Sequence, residues 1–413
     1  MLQYDILIVQ GRDEKMENLK IFTSNIEQQA LDQINLLLEQ ESFKNCKVRI
    51  MPDVHAGAGC VIGFTGNLGD KVIPNIVGVD IGCGMLCVEL GDIDIDYEKL
   101  DKVIRQYIPN GMNVRDKVSH SFDLTRLICY PFLKNKDNWL NKSLGTLGGG
   151  NHFIEIDVDE NNNKYLVIHT GSRNLGKQVA ELYQNEAIGY CSYEKEMHVE
   201  KQFMINSLKM QGREKEIEQA LKDITEKYKD KTKLPKDLCY VEGNLREAYL
   251  HDMKICQEFA IENRKAIAGE ILARMGWALQ VKDHFETIHN YISFEDNIVR
   301  KGAISAKKGE KLLIPMNMRD GCIIGIGKGN DDWNQSAPHG AGRIMSRMKA
   351  KETFSVDQFV ESMNGIYTTS VSEDTLDEAP MVYKPMQEII DCIGDTVEIT
   401  NIIKPIYNFK ASD

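Results

Sequence analysis

Apolar and polar positions along the chain alternate between two periods. Short apolar or β-branched runs bounded by Gly, Asp or Asn occur at Tyr4–Val9, Cys60–Phe64, Met85–Leu90 and Tyr165–Ile168, and such runs read as strands. Among them, Ile26, Ala30, Leu31, Ile34 and Leu38 recur at helical spacing, which predicts a helix with one buried face. From about Tyr193 to Met275 the sequence becomes long, charged and helix-forming, as in Gly212–Leu221, with Pro235 and Gly243 interrupting it. This stretch reads as a helical insertion of two arms carried by the core, not as a separate domain. Strand-like sequence resumes at Lys311–Pro315 and Gly321–Gly327, and Val397–Phe409 reads as a closing strand.

Composition narrows the class without naming it. With 42% hydrophobic and 27% charged residues, neither disorder nor a fibrous repeat is suggested. No apolar run approaches the roughly 18 residues that span a bilayer, and the start of the chain lacks a basic segment followed by a long apolar one. A cytoplasmic location with no membrane partner is therefore expected. Ten cysteines without a paired framework are expected to be thiols, most of them buried and one a candidate ligand. The net charge of -12 argues against a general nucleic-acid coating protein but leaves room for a local basic cleft.

Several glycine-bounded turns carry chemistry. Ser336–Arg343 sets His339 among small residues, with Gly340 and Gly342 able to let backbone approach a phosphate and Arg343 offering a planar cationic fork. This is either the setting of a histidine nucleophile or a tight loop with a solvated histidine. Val79–Met85 brings Asp80 and Cys83 into one turn, where they either converge on a cation or form a buried thiol beside a turn-capping carboxylate. Gly148–Glu155 places Asn151, His152 and Glu155 after three glycines, an anion cradle with a candidate ligand or a flexible turn into a strand. His169 ends a strand, either as a rigidly held ligand or as a core histidine with a satisfied hydrogen bond, and precedes Ser172 and Arg173, which suit phosphate contact. His289–Asn290 is a weaker pair, Asp53 and His55 stand on an extended segment after Pro52, and His120, His198, His251 and His284 read as surface or structural residues.

Taken in order, these blocks resemble the RNA-splicing ligase RtcB family. The correspondence runs through MPDVH at Met51–His55, VGVDIGCGM at Val77–Met85, LGTLGGGNHFIE at Leu144–Glu155 and HTGSRNLG at His169–Gly176. It continues through YVEGNLREAYLHDM at Tyr240–Met253, HN at His289–Asn290, GKGN at Gly327–Asn330 and SAPHGAGR at Ser336–Arg343. The resemblance implies an α+β fold, a single catalytic core of mixed β-sheets over residues 1–413 with surrounding helices and the helical insertion at about 193–275. It implies a GTP- and Mn-dependent ligase that joins RNA 3′-phosphate or 2′,3′-cyclic-phosphate ends to 5′-hydroxyl ends. Two Mn²⁺ ions would be held by Asp80, Cys83, His152, His169 and His289, with Cys83 bridging, a donor set acceptable to Mn²⁺. His339 would take GMP from GTP, and Asp53 would assist one of the steps. Guanylate contacts would come from Asn151, His152, Phe153, Ile154 and Glu155, from His289 and Asn290, from Pro315, Met316, Asn317 and Met318, from Cys322, from Gly340, Ala341 and Gly342, and from Lys410. Arg173 would meet RNA phosphates.

The chain departs from the family pattern at three places. Ala56–Gly59 lacks the lysine common after the MPDVH histidine, Pro315–Arg319 replaces a Pro-Gly-Ser-Met-Gly turn, and Cys322 replaces a serine. The rival readings are an enzyme that guanylates RNA ends without efficient sealing and a non-catalytic RNA-end-binding protein.

Overall fold

A computed structural model describes residues 18–135, 138–229 and 231–411; the strand expected at Tyr4–Val9 lies outside them. The fold is α+β and is organised by one large, almost wholly antiparallel sheet. Its strands run in the order Lys311–Asn317, Gly321–Gly327, Val397–Lys410, Phe153–Val158, Lys164–Thr170, Gly84–Gly91 and Asp283–Ile288, and Tyr367–Thr368 pairs in parallel with Val397–Lys410. The sheet curls toward closure, since Leu313 N on one end strand donates to Thr287 Oγ1 on the other at 3.2 Å.

Period-2 alternation divides the two faces of this sheet. Met85, Cys87, Phe153, Tyr165 and Val167 point into the curl with Leu313, Cys322, Ile324 and Ile403. Leu86, Val88, Ile154, Ile156, Leu166 and Ile168 point outward into a second core shared with Ile267 and Ile271. Each such fully buried aliphatic side chain contributes about 1.5–3 kcal/mol. A second sheet orders Leu19–Ile21, Val48–His55, Ile62–Gly66, Val299–Lys301 and Asn290–Ile292, and Ala303–Ser305 pairs with Ser336–Pro338.

The expected helix forms at Gln28–Leu38 and buries Ala30, Ile34 and Leu37. The helical stretch beyond Tyr193 resolves differently from one insertion. Glu194–Met210 and Ile217–Tyr228 bury only Leu208 and Ile224, whereas Gly243–Met275 buries a broad face that includes Leu250, Met253, Phe259 and Ile267, and leaves a stripe through His251, Lys254, Glu262 and Lys265 exposed. Pro235 and Gly243 mark the junction between the exposed part and this core helix. The core helix positions the site. Arg264, fully buried, donates to Gly82 O at 3.0 Å and Thr170 O at 2.9 Å. Asn263 accepts from Gly145 N and Thr146 N and donates to Gly171 O. Three chemistry-bearing loops are thus tied to one rigid element.

Candidate metal centre and nucleotide pocket

Strand ends and turns deliver the donors. Asp80 and Cys83 lie in the turn before Gly84–Gly91, His152 directly precedes Phe153–Val158, and His169 lies in Lys164–Thr170, paired with both Met85 and Phe153. His289 follows Asp283–Ile288, and its N–H donates to Cys83 O at 3.0 Å. Cys83 Sγ lies 3.5 Å from His152 Nε2 and 3.4 Å from His169 Nε2, and His152 Nε2 lies 3.1 Å from Asp80 Oδ2. The donor atoms of Asp80, Cys83 and His152 fall within 4.8 Å of one another, as do those of Cys83, His169 and His289. The two groups share Cys83, so one thiolate could bridge two ions.

The surroundings favour the ligand forms of the three histidines and of Asp80. His152 Nδ1 donates to Leu147 O at 2.9 Å and His169 Nδ1 to Asn151 O at 3.1 Å, which fixes each tautomer and turns Nε2 toward the cluster. Burial lowers the pKa of His152, and burial with neighbouring imidazoles lowers His169 and His289 well below the ordinary value, so all three are neutral near pH 7. The Nδ1 of His289 is buried without a hydrogen-bond partner. Burial opposes ionisation of Asp80, but His152 and Arg173 outweigh it and hold the carboxyl below its ordinary value. Burial and Asp80 push the Cys83 thiol well up, and a cation is what would favour its thiolate. Gly171 is required beside Asp80: a Cβ there would stand 2.1 Å from Asp80 Oδ1.

The cluster adjoins a cavity of about 690 Å³. His339 lies on its wall, with its ring 4.8 Å from that of His289. Asp53, fully buried on Val48–His55, accepts from His339 N at 3.0 Å, Gly340 N at 3.2 Å and His339 Nδ1 at 2.6 Å. Nδ1 is thereby occupied and Nε2 is the ring nitrogen left for chemistry. Gly342, at φ +77°, brings this loop onto Asp53, where a Cβ would stand 2.3 Å from the Asp53 carbonyl oxygen.

The expected guanylate residues divide by parity and depth. Asn151, Phe153, Glu155, Pro315, Met316, Asn317, Met318, Gly340, Ala341, Gly342 and Lys410 line the cavity. Ile154 does not, because it alternates to the opposite face of its strand and packs in the outer core. Cys322 is fully buried inside the curled sheet. His152 and His289 belong to the donor cluster behind the wall. The amide of Asn290 is engaged with backbone, donating to Asp80 O at 3.2 Å and accepting from Gly302 N at 3.0 Å. Arg173 turns inward: its Nε donates to Thr146 Oγ1 at 3.3 Å, and Nη1 lies 3.3 Å from His152 Nδ1. In this arrangement it braces the cluster. His120, His198, His251 and His284 are exposed, as expected.

Sequence reasoning missed the charged end of the cavity. Glu378 is buried and meets Lys410 Nζ at 2.8 Å, Arg343 Nη1 at 3.2 Å and Arg347 Nη2 at 3.2 Å. Burial opposes its ionisation, but Lys410, Arg347 and Arg343 hold its pKa at about 2. The Arg343 fork is therefore committed to Glu378 and to Asp377 O. His55 also lines the cavity, its Nδ1 donating to Asp53 O at 2.9 Å. At the departing loop, Lys301 Nζ donates to Ala58 O at 2.6 Å and Gln33 brackets Gly57 through both amide atoms. Asn317 Oδ1 accepts from Arg319 N and Asp320 N and shapes the other departing turn.

Fold and site together define an α+β enzyme with a buried cluster able to hold metal beside a cavity lined by the His339 loop. The family described as "tRNA-splicing ligase RtcB" matches residues 39–130 and 132–411, and the chain belongs to that family of ligases. It is similar to RNA-splicing ligase RtcB of Escherichia coli K12, with 28% identity across 99% of this chain and 100% of the relative. It is also similar to tRNA-splicing ligase RtcB of Nanoarchaeum equitans, with 25% identity across 83% of each chain. A further relative, RNA-splicing ligase RtcB2 of Escherichia coli ATCC 25922, is 24% identical across 88% of this chain and 87% of its own. Among the described residues no helix is long and apolar enough to cross a membrane.

Proposed function

We propose that this chain is a GTP- and Mn²⁺-dependent RNA ligase that joins 3′-phosphate or 2′,3′-cyclic-phosphate ends to 5′-hydroxyl ends through a histidine–GMP intermediate, in RNA repair or tRNA splicing. The observation that carries this reading is His339, held through Nδ1 by a fully buried carboxylate and set against the His289 ring of the donor cluster. Asp80, Cys83, His152, His169 and His289 would hold two Mn²⁺ ions, which when bound offset charge on phosphoryl oxygens. The whole chain would act as one catalytic unit, with the exposed helices between Tyr193 and Glu242 as an excursion from it.

Asp53 has one task in this scheme. It accepts the Nδ1 proton of His339 and keeps the Nε2 lone pair free, as a nucleophile's orienting group does. Nε2 attacks the α-phosphorus of GTP, forming an N–P bond and releasing pyrophosphate. A cyclic phosphate is opened by water to a 3′-phosphate, which then displaces His339 and forms an RNA–guanylate pyrophosphate. Attack by the 5′-hydroxyl completes the phosphodiester and expels GMP. Lys410 and Glu155, on adjacent strands and both lining the cavity, would be the groups that meet the guanine edge.

The test uses GTP labelled at the α-phosphate with Mn²⁺, followed by RNA bearing 3′-phosphate and 5′-hydroxyl ends. Acid-labile label on the protein that chases into joined RNA is the expected result. Label that reaches RNA without joining would identify the guanylating rival, and no label would overturn both enzyme readings.

A further inference from the structure

A second set of metal-type donors is enclosed within the large sheet, outside the Cys83 cluster. Alternation along Phe153–Val158 sends Glu155 and Asp157 toward the inside of the curl, where Cys322 joins them from Gly321–Gly327. Their ligand atoms lie within 4.8 Å of one another, and the three residues are 2%, 0% and 0% exposed. The surrounding side chains, Met85, Phe153, Leu313 and Ile403 among them, are apolar.

The set is distinguished by an excess of acceptors. No N–H or O–H group reaches either carboxylate oxygen of Asp157, whose one polar neighbour is the Cys322 thiol, and Oδ1 of Asn408, whose Nδ2 donates to Glu155, is likewise unpartnered. Lys410, whose charge is felt at Glu155, is itself engaged with Glu378 and the Asn151 carbonyl. Buried carboxylates without partners are strongly disfavoured unless a proton or a cation neutralises them. Every unpartnered atom around the cluster is an acceptor, so the site calls for protons or for a cation in their place.

We propose that Glu155, Asp157 and Cys322 bind a further divalent ion of the Zn²⁺ class, separate from the Cys83 cluster. One thiolate with two carboxylates suits Zn²⁺, and Cys322, standing where the family pattern has serine, supplies the soft donor. The ion cross-links Phe153–Val158 to Gly321–Gly327 beneath the nucleotide cavity. Glu155 borders the cavity as well as the cluster. Burial raises Glu155 to about 8 and drives Asp157 and the Cys322 thiol well up, so binding releases protons to solvent as the ion takes their place.

The experiment loads the purified full chain with Zn²⁺, removes free ion and counts metal per chain by mass spectrometry. Cys322→Ser, close to isosteric, and Asp157→Asn are each expected to carry one ion fewer than the unsubstituted protein, with an unchanged circular dichroism spectrum. Equal metal content in all three overturns the site. Co²⁺ substitution provides the second measurement: Cys83→Ala protein should retain a thiolate-to-Co²⁺ charge-transfer band that Cys322→Ser then removes, and absence of the band in Cys83→Ala protein also overturns the proposal. Neither readout depends on guanylylation of His339, so this site and the ligase reading can fail separately.

Discussion

The curled sheet and the exposed helices after Tyr193 treat polar residues in opposite ways. In the helices, Lys222–Glu218, Lys227–Glu200 and Lys233–Glu196 pair at the surface, and Val199, Phe203 and Met210 stand in solvent. Water can replace any of those partners, so exposed pairs contribute little. In the core, by contrast, Asp53 on Val48–His55 and Asn263 and Arg264 on the helix Gly243–Met275 are fully buried, and each is assigned to named atoms of a loop that carries a candidate functional residue. Removing one buried partner leaves the other desolvated and unpaired. Chemistry is therefore concentrated where substitution is costly, and the excursion is where the chain is free to vary.

The sharpest way to break this contrast is at the nucleophile and the shared thiol. His339→Ala is expected to abolish acid-labile labelling by α-labelled GTP while bound Mn²⁺ is unchanged, read by scintillation counting and metal analysis. Cys83→Ala is expected to lose metal from both donor groups, because both contain that sulfur. Retained labelling in the first variant, or retained metal in the second, would remove these residues from the roles proposed for them. Asp53→Asn ranks next. It keeps the side-chain shape but loses the charge that holds Nδ1, so the labelling rate should fall by about 10²–10⁴-fold, the range for a positioned acid–base partner. An unchanged rate would reduce Asp53 to a loop anchor for His339 N and Gly340 N.

Much of the site was legible because glycine-bounded turns at strand ends leave a local signal. Asp80, Cys83, His152, His169 and His289 are spread over more than 200 positions, yet each flanks or ends an apolar run. Antiparallel pairing then brings those ends together. What was not legible depends on direction and on distant partners. Ile154 and Glu155 are neighbours in sequence, and only the pleat separates the outer core from the cavity. Arg173 beside a phosphate-type loop suggests phosphate contact, and its packing against the Gly148 loop and Thr146 depends on residues the local sequence does not contain. Glu378 lies in an unremarkable turn, and its role exists only because Lys410 and Arg343 arrive from other elements. The helix Gly243–Met275 reads as part of a charged stretch because its buried Asp252, Asn263 and Arg264 are satisfied by loops far away in sequence.

Glu378 offers a prediction of intermediate size, in which pH tests the buried network. Its folded pKa of about 2 lies below the ordinary value of 4.5. Its contribution to stability is therefore complete above pH 4.5 and is lost as pH falls from there through about 2. Denaturant melts of the unsubstituted protein and Glu378→Gln should differ most near neutral pH and converge toward pH 2. Parallel curves across that window would mean that Lys410, Arg343 and Arg347 do not act on Glu378 as a charged group.

The smallest effects should come from the excursion. Ser192 and Thr232 form an antiparallel bridge, and Lys233 N donates to Cys191 O, so the segment leaves and re-enters the core at one point. A short glycine–serine linker between Tyr193 and Lys231 can span that gap without moving Cys191 or the helix that carries Arg264. Such a protein should keep its metal content and its labelling rate within about twofold, and Lys227→Ala alone should leave the melting temperature unchanged. Loss of labelling with metal retained would show that the excursion reaches the nucleotide pocket after all. If labelling persists but joining is lost, the excursion would instead serve the RNA, and the division between a chemical core and a free surface would have to be redrawn at Tyr193.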